Sequence, residues 1–382
     1  MRKSSEELNE LCKKFNTDIL WSWSRVNCVH NSLYEYYLKY IRHVKPDRDD
    51  SIYVVTGGIC HDIIERFYNG EIQYEQMYEE FNDGWMTAFD IGELKFDRSD
   101  SEKNQKIADK YYKDLEHFFK NHKKIPHKVQ LEQFVTVKIG EEYYQGYIDC
   151  CFKDNEENYT ILDWKSSSIY KGEKALNECG QLVMYALALN QMGIPLNKIK
   201  IAWNFLKYQC VTVQSKKGEK KVREIERSEL GSSLKANAKI WLKHFGYEEQ
   251  MEEYLTALEE ENDISVLPAE VQEKYEFADC IVYVDLTDEL VQKWTDYIIE
   301  TTKDIRNKTA EYEKTFDEHI WWEDEDTVKK QSYYFANLCS YSPSVHKPYG
   351  AYLDKYNTLQ NILAAKKLKA ETEDDLSWLD NL

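Results

Sequence analysis

Glycine and proline are scarce, at 14 and 6 of 382 residues. That scarcity excludes collagenous and flexible-linker architectures and predicts long helices with few breaks. Long apolar runs are missing as well. The longest, near residues 182–189, falls well short of the roughly 18 residues that a membrane span needs, so neither a transmembrane helix nor a membrane partner is expected. The opening residues, MRKSSEELNELCKKF, alternate charged and apolar residues and hold no apolar stretch before a small-residue cleavage site. They do not read as a secretory signal, and a cytoplasmic location is inferred, the bacterial host's cytoplasm if the chain is phage-encoded. Nine cysteines, at 12, 28, 60, 150, 151, 179, 210, 280 and 339, include no CxxC pair and are odd in number. They read as reduced thiols, not as a disulfide framework.

Positive charge is also in deficit. Fifty Lys and Arg face 69 Asp and Glu, for a net charge of −19, the reverse of the basic footprint expected of a nucleic-acid binder. The excess is local. Residues 248–263 hold eight acidic residues and no basic one, and residues 371–382 hold five and none. Thirteen of the nineteen excess charges thus lie in two short segments. What the chain has in quantity is core material: 42% hydrophobic residues and 14% aromatics, too much apolar surface for a disordered chain.

Apolar spacing of three and four predicts helices in SSEELNELCKKF, HNSLYEYYLKYI and IADKYYKDLEHFFKNH. The pair Gly57-Gly58 is expected to stand just before a further helix that carries His61 and Glu65 on one face. From about Val129 the period becomes two, and Glu132–Ile139, Tyr143–Phe152 and Tyr159–Lys165 read as three strands of a meander. A helix is expected over Ala175–Met192, ended by Gly193 and Pro195, and a strand over Ile199–Tyr208. The next twenty residues read as a hairpin around Lys217-Gly218, with six basic residues against three Glu between Ser215 and Arg227. The remainder reads as mostly helical, including Leu290–Phe316.

Chemistry gathers on the meander. Residues two apart on a strand share a face, so Asp163 and Lys165 project together while Leu162 and Trp164 point the other way. A hairpin brings Asp149 beside Asp163, and two carboxylates that close repel unless a cation lies between them. Oxygen ligands of this kind suit Mg2+ or Mn2+. Gln181 and Tyr185, four apart, share one face of the following helix and flank the site. His61 is placed to add an imidazole ligand, and Glu132, at the head of the first strand, to meet a second metal.

In this order, His61, Gly146-x-x-Asp149, Asp163-x-Lys165 with Ser166 and Ser167, and Gln181-x-x-x-Tyr185 resemble the PD-(D/E)XK nuclease superfamily. Specifically, they are similar to its RecB/AddB-like exonuclease branch, which includes phage recombination nucleases. Ser22-x-Ser24-Arg25 and Tyr34-x-Tyr36-Tyr37-Leu38-Lys39-Tyr40 resemble that branch's opening helices. The resemblance implies an α/β fold: a restriction-endonuclease-like core, a mixed sheet flanked by helices, with large helical additions at both ends. It divides the chain into a helical region 1–125 contributing His61, a nuclease core 126–215, a region 216–370 and an acidic tail 371–382. It implies metal ligation by His61, Asp149, Asp163 and the main-chain carbonyl of Trp164, and a Lys165 that orients or deprotonates the attacking water. Gln181 and Tyr185 would position DNA, the implied partner, for hydrolysis in recombination, repair or phage genome processing.

Several members of the branch carry an iron-sulfur cluster. Here Ser32 stands at the first ligand position, Ala336 where a second cysteine is expected, and no cysteine follows Cys339. No cluster is therefore expected, and packing of Tyr333, Tyr334, Phe335 and Tyr341 is expected in its place. Two features remain open on sequence grounds. The basic hairpin Lys216–Arg227 reads equally as a grip on a DNA backbone or as a solvated turn. The tail around Asp374-Asp375-Leu376-Ser377-Trp378-Leu379 suits docking on a protein partner but reads better as a disordered end. A non-enzymatic protein that mimics DNA is the competing functional class.

Overall fold

A computed structural model describes residues 2–48, 51–97, 100–331 and 334–355. Seven strands are present among them: β1 (Trp21–Ser22), β2 (Val129–Ile139), β3 (Glu142–Lys153), β4 (Tyr159–Lys165), β5 (Ile199–Gln214), β6 (Lys220–Glu226) and β7 (Tyr275–Val284). The chain divides into two compact units. The first holds residues 1–7, 52–137 and 146–294, and the second holds 8–51, 138–145 and 295–382.

In the first unit β3 and β4 run antiparallel, with Cys150 opposite Leu162, and β2 lies on the other side of β3. β4 and β5 are parallel, with Asp163 opposite Trp203. The crossover between them carries the helices Glu173–Glu178 and Gly180–Gln191. β5 is long enough to serve three partners: β4 along its first half, antiparallel β6 along its second, and antiparallel β7 along both. The sheet is therefore mixed, with helices packed on it, and the α/β restriction-endonuclease-like core expected from the sequence is what the chain forms.

Alternation decides which residues build the interior. Cys150, Phe152, Leu162 and Trp164 point from β3 and β4 into an apolar cluster shared with Cys60, Ile63 and Ile64 of the helix Ile52–Asn69. Phe81, Leu115, Phe118 and Phe119 fill the same cluster. A second cluster joins Val211, Val213 and Tyr275 to Leu234, Leu242, Leu255 and Leu258. The acidic run thus lies on a helix, Met251–Glu261, that buries two leucines and leaves its charges outside.

Three local expectations need correction. The Gly57-Gly58 pair does not precede its helix but lies inside one that starts at Ile52, because the apolar spacing of Ile52, Thr56, Cys60, Ile63 and Ile64 carries the helix through both glycines. The helix expected over 175–192 breaks at Cys179, whose ψ of 5° leaves the helical range. Strand β7 gave no sequence signal, since charged Asp279 interrupts its apolar run.

The second unit gathers the opening helices and the long helix Asp288–Thr315 from Thr295 onward. β1 runs parallel to the first residues of β3, with Trp21 opposite Tyr144. Arg306 bridges Asp18 and Glu142 at 2.6–3.0 Å, and Trp21 Nε1 donates to Glu142 at 3.0 Å. Trp21 and Trp321 are buried, as core residues. The Ser32 hydroxyl donates to Glu323 at 2.6 Å, and Tyr34 stacks on Tyr349 with ring centroids 3.7 Å apart. Tyr334, Phe335, Cys339 and Tyr341 line the same pocket as Ser32 or bond to its walls. A four-thiolate cluster does not fit these donors, because a hydroxyl tied to a carboxylate occupies the first position. Tyr333, the side chain of Ala336 and the acidic tail 371–382 lie outside the described residues.

Candidate metal centre

The site is built by alternation on two strands and by one helix face, all within the first unit. Asp163 and Lys165 project from β4 on the face opposite Leu162 and Trp164. Continuing the β3–β4 register by one residue brings Asp149 opposite Asp163. The helix Ile52–Asn69 buries Cys60, Ile63 and Ile64 and thereby turns Gly58, His61, Asp62 and Glu65 toward a cleft also lined by Asp149, Asp163, Lys165 and Gln181.

Ligand atoms of His61, Asp149 and Asp163 all lie within 4.8 Å of one another. Their chemistry is incomplete without a cation. His61 Nε2 is 2.8 Å from the carbonyl oxygen of Trp164; a carbonyl has no proton to give, so Nε2 donates and neutral His61 carries its lone pair on Nδ1. Nδ1 stands 3.5 Å from Asp149 Oδ2. Asp149 Oδ2 and Asp163 Oδ2 are buried and receive no hydrogen bond, although Lys165 Nζ approaches Asp163 Oδ2 at 2.6 Å as an ion pair outside hydrogen-bond alignment. Three acceptors thus converge with one ammonium between them, which is the arrangement a hard divalent cation satisfies.

The electrostatics agree. Burial and then the Asp163 charge push the Asp149 carboxyl well above its ordinary value. Burial also raises Asp163, but Lys165 and the contact with Asp149 outweigh it and hold this carboxyl below the usual range. Burial lowers His61 and keeps its imidazole neutral and ready to ligate. Burial pulls Lys165 down while Asp163 pulls harder in the other direction, so the ammonium stays charged.

A sequence model of the PD-(D/E)XK nuclease superfamily, a group that uses divalent metal ions, matches residues 20–317. The chain belongs to this superfamily. No curated protein matches it. Packing accounts for two details of the site. A Cβ on Gly146 would come within 2.6 Å of the Tyr185 ring, so the glycine three before Asp149 is what lets Tyr185 pack against β3. Tyr185, 5% exposed, in turn accepts a hydrogen bond from Gln181 Nε2 at 3.0 Å. Gln181 lines the cleft and Tyr185 stands behind it.

Glu132 also faces the cleft. Its φ of 45° is left-handed, which costs a non-glycine residue about 1–2 kcal/mol. Three more lining residues, Arg2, Gly58 and Asp62, were not expected at the site: Arg2 is 130 positions from Glu132, and Gly58 was read only as a helix start. At Gly58 a Cβ would meet nothing within 4 Å, so the cleft is open beside His61. The basic hairpin loses its strongest member, since Arg227 is 0% exposed and paired to Asp279. The described residues include no helix long and apolar enough to cross a membrane.

Proposed function

We propose that the chain is a Mg2+- or Mn2+-dependent DNA exonuclease of the RecB/AddB-like branch, acting in recombination, repair or phage genome processing. The observation that carries this reading is the convergence of His61 Nδ1, Asp149 and Asp163 without donors beside a charged Lys165. His61, Asp149 and Asp163 would hold the metal, and the Trp164 carbonyl would complete the set. A divalent cation bound there supplies positive charge that polarises the scissile phosphate.

The side chains do the rest. Lys165, ion-paired to Asp163, presents its ammonium protons to the attacking water and fixes that oxygen on the phosphorus side of the cleft. Hydrolysis then forms a bond from the water oxygen to phosphorus and breaks the opposite phosphorus–oxygen bond, the proton passing to the leaving oxygen. Gln181, held by Tyr185, contacts the strand. The branch assignment rests on the order of His61, Asp149, Asp163-x-Lys165 and Gln181-x-x-x-Tyr185, and exonuclease action follows from it.

The purified chain is expected to degrade end-labelled linear DNA with Mg2+ or Mn2+ and to spare covalently closed circles. Asp163→Ala and Lys165→Ala are each expected to lose about a thousandfold or more of this activity while the circular dichroism stays that of the wild type. Wild-type protein inert with every divalent cation, or variants as active as the wild type, would overturn the reading. Cleavage of closed circles would overturn the exonuclease assignment alone.

A further inference from the structure

Five carboxylates, Asp62, Glu65, Glu132, Asp149 and Asp163, line the cleft beside His61. A nucleic-acid strand adds a negative charge per nucleotide, so a strand lying here needs a cation not already committed to a metal ligand. Lys165 is committed to Asp163 at 2.6 Å. Among the described residues, the other cation lining the cleft is Arg2.

The main chain around Arg2 is anchored, and its side chain meets one carboxylate. Ser4 and Glu7 cap the helix Ser5–Phe15 reciprocally, Ser4 N donating to Glu7 Oε2 at 2.8 Å and Glu7 N to Ser4 Oγ at 3.2 Å. That fixes where the preceding residues begin. Lys3 N then donates to the Tyr147 hydroxyl at 2.6 Å, and the Lys3 ammonium stands 5.2 Å from the Phe134 ring. Arg2 itself lies 5.7 Å from the Tyr147 ring and places Nε 3.5 Å from Glu132 Oε2. The left-handed backbone of Glu132 is on the strand that presents this carboxylate.

Pairing through Nε leaves the two Nη groups of Arg2 directed elsewhere on a side chain 79% exposed. That edge of a guanidinium is the fork that takes a phosphate through two parallel hydrogen bonds. We propose that Arg2 grips a backbone phosphate of the DNA strand in the cleft, and that Glu132 is the positioning residue that aims it. The inference rests on the nuclease reading and names the residue that lets an acidic cleft accept an acidic polymer.

The test is fluorescence anisotropy of a labelled single-stranded oligonucleotide bound to the full chain with Ca2+, over a salt series, alongside cleavage with Mg2+. Arg2→Ala is expected to weaken binding about tenfold at low salt and to flatten the slope of log K against log salt by about 0.7, one phosphate contact on a single strand. Arg2→Lys is expected to restore the slope and part of the affinity, because it keeps the charge and loses the fork. Glu132→Gln is expected to weaken binding in the wild-type background and to add nothing to Arg2→Ala. Removal of a negative charge by itself would tighten binding, so a tighter Glu132→Gln overturns the aiming role. A wild type that cleaves, with Arg2→Ala matching its affinity and salt slope, overturns the inference alone. A wild type that does not cleave overturns the nuclease reading and this inference with it.

Discussion

Two clusters of buried charge stand in the first unit, each joining carboxylate, imidazole and cation and finished differently. Arg227, fully buried, donates from Nε to the Leu206 carbonyl at 2.8 Å and from Nη2 to Asp279 Oδ1 at 2.9 Å, with Nη1 3.3 Å from His117 Nδ1. Asp279 also stands 3.6 Å from His122, whose other nitrogen meets the Tyr68 hydroxyl at 3.2 Å. That cluster closes on itself through the Arg227 donors, with His122 Nδ1 left as its one buried atom without a hydrogen bond. In the cluster of His61, Asp149, Asp163 and Lys165, by contrast, acceptors face acceptors and the cleft stays open. Carboxylate, imidazole and cation in one small volume therefore do not by themselves mark a reactive site. What marks it is the deficit of donors together with access for a ligand.

The comparison breaks most readily at Arg227. Arg227→Ala strands Asp279 without its partner and is expected to cost about 3–5 kcal/mol of stability in urea unfolding, with activity lost only as far as the fold is lost. An unchanged unfolding midpoint would show that the cluster is not structural.

Asp114 sharpens the same contrast with pH. It accepts from Ser228 N at 2.7 Å through Oδ1, while Oδ2 is buried without a donor. Burial raises its carboxyl to about 6 from 3.8. The folded state holds this proton more tightly than the unfolded chain, so its contribution is full below pH 4 and lost as pH rises to about 6. Asp114→Asn keeps the acceptor and removes the charge. It is expected to stabilise the protein at pH 7 by up to about 3 kcal/mol, with the gain gone by pH 4. A gain of equal size at both pH values would contradict the account.

The smallest effect belongs to the open cluster. Asp149→Asn removes one of two facing carboxylates and is expected to raise the stability of the metal-free protein by about 1 kcal/mol, although it removes a ligand. Destabilisation instead would mean that the acceptors are satisfied within the protein.

The two strands of the site were legible because strand alternation is local: Asp163 and Lys165 share a face whatever the rest of the chain does, and Gly146 announces the close packing of Tyr185. His61 was legible from its order along the chain and from helical spacing with Glu65. Arg227 was misread because its charge suggested surface, and only the long-range pairing of β5 with β7 buries it beside Asp279. The helix through Gly57-Gly58 was misread because glycine signals a boundary, whereas here it leaves space on a cleft wall. Arg2 was invisible for a further reason: its role depends on a fold that brings residues 2, 132 and 147 together, and no local pattern encodes that.

Titration of Mn2+ into the metal-free chain, followed by calorimetry for the wild type and Asp163→Ala, tests the central claim most directly. The open cluster predicts saturable binding by the wild type and a loss of about a hundredfold in affinity on removal of Asp163, at unchanged secondary structure. Equal Mn2+ affinity in the two proteins, or no binding by the wild type, would contradict it.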